Sequence, residues 1–475
     1  MKHLNTILPF KSIIIFVFLS FVSCSKDSDE PSPAETSVTT VDFSKTMDEN
    51  PTNGQLIGTV QGSTNEGSVT FSITEQNPAG AFAIDSASGE LKVADETLFN
   101  FEINPTITGT VKVANGTLFE IATVSIHLNN LQEDRLYQGD VILTTQDEVI
   151  AFGNTGYTHI DGDLVIGGYA YDDIVDLSPL LNIEKVENTL SINRCSNLIT
   201  TAGLRNISYI GLGMVIYDNP VLEKITDLQN LDFLGGVLYI SGNLSLNEIS
   251  SFDQLTEIKG NFQLYDSSIK NLDAFVNLNS IEGFLTIYNN LYLNNINGLQ
   301  NLNTLGGKIN ISNNYYLTDL DGLSNLATIL SGIEISNNSY LENINGLQNI
   351  ETTDRLYITS NHSLKNIEGL SSTKNVNRLK VTQNNSLLSL EGLNNLTTIG
   401  EDGLYIEGNI MLTNLNGLNG INNIQGELSI SENFLLRDFC NLQDFLTNGS
   451  LGSYSVFGNF YNPTMQDIID GNCSI

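Results

Sequence analysis

Between residues 134 and 475 one short pattern recurs: apolar, any, apolar, any, any, asparagine. The asparagines are Asn219, Asn243, Asn290, Asn314, Asn338, Asn361, Asn384, Asn409 and Asn433, and Ser267 fills the gap between Asn243 and Asn290. Successive positions lie 23 to 25 residues apart. Each is followed by Leu-x-x-Ile or a variant and often by Gly-Leu, as in Leu341-Glu342-Asn343-Ile344-Asn345-Gly346-Leu347. Earlier copies near Ile166 and Ile192 carry Tyr169 and Cys195 at the asparagine position. Apolar residues two apart predict short strands that turn one stripe inward. A fixed period of this length predicts a solenoid of about thirteen coils, each burying its stripe against its neighbours. Helix-forming stretches are few, so the coil reads as mostly β, a parallel β-helix and not a strand-plus-helix horseshoe. Asparagine tolerates a left-handed backbone and its amide bonds to backbone groups, so the repeated asparagines predict an internal ladder. The tail, with Cys440, Asn459, Asn462-Pro463-Thr464 and Cys473, breaks the period and reads as a cap over the last coil.

Residues 40–133 alternate differently. Stretches such as Gly67-Ser68-Val69-Thr70-Phe71-Ser72-Ile73 and Ala122-Thr123-Val124-Ser125-Ile126-His127-Leu128 are strand-like, β-branched and punctuated by Gly and Asn. They predict a β-sandwich of about 90 residues. At the N-terminus, Lys2 and Lys11 precede an apolar run from Ile13 to Val22 that is too short to span a bilayer. It ends in Phe21-Val22-Ser23-Cys24. Residues 25–39, rich in Ser, Pro, Asp and Thr, hold almost nothing to bury and predict a disordered tether.

Four resemblances follow from these residues. The first 23 residues with Cys24 resemble a lipoprotein signal peptide, although Phe21 stands where Leu is usual. The resemblance implies cleavage before Cys24 and acylation of its thiol, and two or more acyl chains anchor stably. The acidic run Ser25-Lys26-Asp27-Ser28-Asp29-Glu30 looks like a surface-export signal, which implies an outer-membrane, surface-exposed location. Residues 40–133 resemble a cadherin repeat through Asp48-Glu49-Asn50, Ile57-Gly58-Thr59-Val60, Ala81-Phe82-Ala83-Ile84-Asp85, Gly89-Glu90-Leu91 and Leu98-Phe99-Asn100-Phe101-Glu102. That resemblance implies a calcium site with Glu49, Glu102 and Glu133 as ligands, since calcium takes six to eight oxygens. The chain departs from the pattern at Thr64-Asn65-Glu66, Asn100 and Asn130-Leu131-Gln132-Glu133. Residues 134–475 resemble the receptor L-domain, a leucine-rich β-helix.

Composition narrows the function. The formal net charge is −34, from 54 acids against 20 bases, which argues against nucleic acid as a partner. An exported chain meets an oxidising compartment, so Cys440 and Cys473 are expected to pair and Cys195 to sit buried and unreactive. The four histidines are scattered, and no zinc pattern, phosphate loop or nucleophile elbow is present. Parallel β-helices that cleave polysaccharides need acidic and basic residues converging on one face. Bases are scarce here, and no catalytic residue is expected. Tyrosine stands out, with 17 Tyr and no Trp. Tyr217, Tyr265 and Tyr288 directly follow the inward residue before the ladder position, and Tyr239 directly precedes the equivalent Ile240. All four are expected to face outward on one sheet, flanked by small open positions such as Ser241 and Thr286. Tyr292, Tyr316 and Tyr340 form a second row, two residues after the ladder. The expectation is a lipid-anchored surface protein that binds a protein or glycan ligand through a solenoid face. Carbohydrate capture for a transport system and a passive surface spacer are the alternatives.

Overall fold

The computed structural model of the protein describes residues 35–101, 103–131, 135–168, 173–329 and 331–475. Cys24, Glu102, Glu133 and Tyr169 lie outside the described residues. The chain divides into two compact units, Met1–Gln132 and Glu133–Ile475. Both are built almost wholly of strands.

The first unit is a β-sandwich. One sheet runs in the order Phe43–Asp48, Leu118–Asn129, Thr106–Asn115, Thr70–Asn77, and the other in the order Leu56–Thr59, Glu90–Val93, Phe82–Ile84. Val38–Thr40 pairs separately with Gly62–Thr64. Alternation does the work here: Ile107, Val111, Val113, Val124 and Ile126 point inward and meet Phe71, Phe82, Leu91 and Phe99 in a fully buried core.

The second unit is a stack of coils, with strands of successive coils paired in parallel. One sheet carries fourteen strands among the described residues, from Val141–Leu143 to Ser450–Phe457. A shorter sheet of eight strands begins at Leu136–Gln138 and ends at Thr304–Leu305. In later coils its segment merges into one long strand, as in Thr352–Thr359 and Thr398–Glu407. The remaining corner is made of single 3-10 turns such as Asn297–Leu299, Asp321–Leu323 and Asn345–Leu347. One coil buries Leu285, Ile287, Leu293, Ile296, Leu299, Leu302 and Leu305, and each such side chain contributes about 1.5–3 kcal/mol when fully removed from water.

The asparagine ladder is present and fully buried. Asn290 N–H donates to Asn314 Oδ1 at 3.1 Å, Asn314 N–H to Asn338 Oδ1 at 3.0 Å, and Asn338 N–H to Asn361 Oδ1 at 3.0 Å. Each Nδ2 reaches back to a strand carbonyl of the preceding coil, as Asn314 does to Ile287 at 2.9 Å. Two expectations need correction. The left-handed residue is not the ladder asparagine but the one before it: Asp218, Asn289, Asn313, Asn337, Ser360, Gln383 and Glu432 all have φ near +57°. That turn aims the following N–H and amide inward, where they can bond along the stack. Asn459 belongs to the ladder and not only to the tail, since Asn433 N–H donates to its Oδ1 at 3.0 Å. Asn462 then closes the ladder by accepting from Asn459 N–H at 2.8 Å.

The ends are covered. Helix Gln146–Gly153, opened by a Thr145/Glu148 capping box, lies at the first coils. Short helices Gln443–Asn448 and Met465–Ile469 lie at the last, with Cys440 and Cys473 joined by a disulfide. Cys195, outside the disulfide, is buried at the head of the ladder, its N–H donating to Asn219 Oδ1 at 2.9 Å.

Candidate functional site

The fourteen-stranded sheet presents its outward residues at two positions per coil, two and four residues before the ladder. Tyr217, Tyr265 and Tyr288 occupy the first, and Tyr239 the second. In register, Tyr217 lies opposite Ser241, and Tyr239 lies between Val215 and Gln263. The stagger does not break the row. Ring centroids are 6.3 Å apart for Tyr217–Tyr239, 5.7 Å for Tyr239–Tyr265 and 6.0 Å for Tyr265–Tyr288, all with tilted planes. Four coils thus carry one continuous aromatic strip.

Its edges are polar. Arg194 lies 5.9 Å from the Tyr217 ring centroid and 3.7 Å from the Asp218 carboxylate. Gln263 Nε2 donates to the Tyr265 hydroxyl at 2.9 Å. The flanking positions differ from expectation: Ser241 and Thr286 are buried, 6% and 5% exposed. The strip is therefore a packed surface with Tyr288 its most exposed ring, at 38%, and not a set of free-standing rings.

The second row is also assembled. Tyr292 and Tyr316 stack at 6.4 Å, and Tyr316 and Tyr340 lie 5.4 Å apart. Tyr315, which sequence reasoning passed over, joins them edge-on at 5.0 Å from Tyr316 and 5.1 Å from Tyr340. Its hydrogen bond with Tyr340 holds its phenol above the ordinary tyrosine value. No period marks Tyr315, because Leu291 and Ser339 stand at its position in the adjacent coils.

The residues expected at a calcium site are not all visible together. Glu49 is 2% exposed, and its two carboxylate oxygens accept from Phe101 N–H at 2.7 Å and Leu131 N–H at 2.6 Å. It thereby ties three segments of the sandwich. Among the described residues no group of three or more His, Cys, Asp or Glu is placed to hold a metal ion.

Comparison with known proteins bears on the coils that carry the strip. Residues 233–306 match the receptor L domain family. Tyr239, Tyr265 and Tyr288 fall within that match. Over 89 residues the chain is 39% identical to Sporulation-specific protein 22 of Saccharomyces cerevisiae, a match covering 19% of this chain and 18% of that protein. Solved structures with similarity include the human Desmocollin-1 ectodomain, 18% identical over 23% of this chain and 24% of that one with a TM-score of 0.19. Protocadherin Gamma B2 cadherin domains 1–5 are 20% identical over 20% of this chain and 19% of that one, with a TM-score of 0.18. The chain spans about a fifth of the length of the curated relative it matches and about a quarter or less of these two solved chains.

Proposed function

We propose that this is an extracellular ligand-binding or adhesion protein that recognises a protein or glycan ligand through the Tyr217–Tyr239–Tyr265–Tyr288 strip. It acts by binding and not by catalysis, and it is held at the outer-membrane surface by a lipid on Cys24. The observation that carries the reading is the continuity of the four rings over adjacent coils. Tyrosine combines apolar area with a hydroxyl at low conformational cost, which is why it is concentrated at recognition surfaces. A rigid parallel sheet beneath the rings holds them in place before any ligand arrives, so little ordering entropy is lost on binding. The receptor L-domain match over residues 233–306 supports the reading, since it covers the coils of Tyr239, Tyr265 and Tyr288. The experiment is a combined protein and glycan array probed with the purified protein, followed by the same array with Tyr239→Ala and Tyr265→Ala. Signals lost in both variants support the strip; signals that persist unchanged place recognition elsewhere.

A further inference from the structure

A different part of the same sheet assembles chemistry that the tyrosine strip lacks. Four residues before the ladder, in the register of Tyr239, three later coils carry Tyr357, Lys380 and Tyr405, directly opposite one another. Lys380 Nζ lies 5.5 Å from the Tyr357 ring centroid and 5.4 Å from that of Tyr405. The ammonium is thus held between two rings. Two residues upstream on each strand come Arg355 and Arg378. Asp402 fixes both, at 3.2 Å from Arg355 Nη2 and 3.4 Å from Arg378 Nη2. Arg378 also donates to the Tyr357 hydroxyl at 3.4 Å. The arginines are therefore set in position by a carboxylate, while Lys380 has no carboxylate partner among the described residues. Nor has the exposed Lys308, two coils before Tyr357. Gly332 stands between Lys308 and Arg355, and its missing side chain opens a groove of about 170 Å³ lined also by Ser331, Glu334 and Tyr357.

Charge and surroundings indicate what fits. Lys365 and Lys374 on the nearby coils are paired with Glu342 and Glu351, whereas Lys380 keeps its charge available to a ligand. No large exposed apolar side chain lies on the strands Ile333–Ser336, Thr352–Thr359, Asn375–Thr382 or Thr398–Glu407, so the apolar anchors of a protein interface are missing. Beside the rings runs a row of hydroxyls, with Thr382 Oγ1 donating to Thr359 Oγ1 at 3.1 Å and Ser336 Oγ to Ser312 Oγ at 2.8 Å. Tyr357 and Tyr405 are two strand spacings apart, about 10 Å, a span that two linked sugar rings cover. We infer that the surface over Tyr357, Lys380 and Tyr405, which meets this groove at Tyr357, binds a carboxylate-bearing saccharide of the uronate type. The sugar carboxylate pairs with Lys380, the sugar rings lie against Tyr357 and Tyr405, and the hydroxyls bond to Glu334 and Arg355. This site is separate from the tyrosine strip and does not depend on it.

The test titrates the purified protein by calorimetry at low salt with oligosaccharides of galacturonate, guluronate and glucuronate, with their methyl esters, and with polyglutamate. At least one free uronate is expected to bind, with its ester about tenfold weaker or more. Lys380→Met is expected to weaken that uronate by a similar factor at unchanged melting temperature, while Tyr239→Ala leaves it unchanged. Should Lys380→Met lower the melting temperature, Lys380→Gln, which keeps a polar end between the two rings, takes its place. Absence of uronate binding, equal binding of the ester or of polyglutamate, or full affinity in the lysine variant would overturn the site.

Discussion

Asn314 shows how much one buried amide does in this molecule. Its Oδ1 accepts from Asn290 N–H, and its Nδ2 donates to the carbonyls of Ile287 and Ser312 at 2.9 and 3.1 Å. Truncation leaves a buried N–H and a buried carbonyl without partners, each costing about 1–3 kcal/mol. Asn314→Ala is therefore expected to lower stability in urea by about 2–5 kcal/mol. Ser267→Ala loses one hydroxyl bond, to Asn290 Oδ1 at 2.6 Å, and is expected to lose about 1 kcal/mol. Equal losses in the two variants would contradict the ladder's role. In the sandwich, Glu49 offers a parallel test. With both oxygens occupied by backbone amides, Glu49→Ala is expected to lower the melting temperature equally with and without calcium. A calcium-dependent rise in the parent that disappears in Glu49→Ala would show a cation ligand instead.

At the scale of the coil, glycine and a second asparagine row set the spacing. A Cβ on Gly346 would lie 1.7 Å from the Leu320 carbonyl oxygen of the preceding coil, so only glycine lets the 3-10 corners close up. Gly346→Ala is expected to cost about 1–3 kcal/mol or more by forcing coils apart, whereas the adjacent exposed Asn345→Ala is expected to stay within about 0.5 kcal/mol. Thermal melts of the two variants decide it. Near the same corner, Asn277, Asn301, Asn325 and Asn349 each donate to a carbonyl of the coil before, at 2.6–2.8 Å. The coil itself was legible in the sequence because inward Leu and Ile at period two leave a strong trace. The left-handed turn was not, because Asp218, Asn289, Ser360, Gln383 and Glu432 share a backbone conformation and no common side chain. The tyrosine strip was legible from register counting, although the burial of Ser241 and Thr286 was not. Counting the Tyr239 register onward reaches Tyr357, Lys380 and Tyr405. Their meeting with Arg378 and Asp402 depends on side-chain reach between coils, which spacing alone does not convey.

For the whole molecule, the proposal places a binding surface on a chain held to a membrane at one residue. No helix among the described residues is long and apolar enough to cross a bilayer. The proposed attachment is acylation at Cys24. Cys24→Ala is expected to release the protein from the membrane fraction or block its processing. A variant that stays in that fraction and still takes up a labelled fatty acid would place the anchor elsewhere. The central claim is that the strip over Tyr217, Tyr239, Tyr265 and Tyr288 recognises the ligand while the residues beneath it hold the fold. Tyr239 and the fully buried Ile240 are chain neighbours facing opposite sides of one strand, so they separate the two roles. The measurement is the affinity of Tyr239→Ala, Tyr265→Ala and Ile240→Ala for the strongest array ligand, beside their stability in urea. Each tyrosine variant is expected to lose about 1–2 kcal/mol of binding with little change in stability, and Ile240→Ala to lose about 2–5 kcal/mol of stability. Unchanged affinity in both tyrosine variants would contradict the account and leave the rings as strand packing alone.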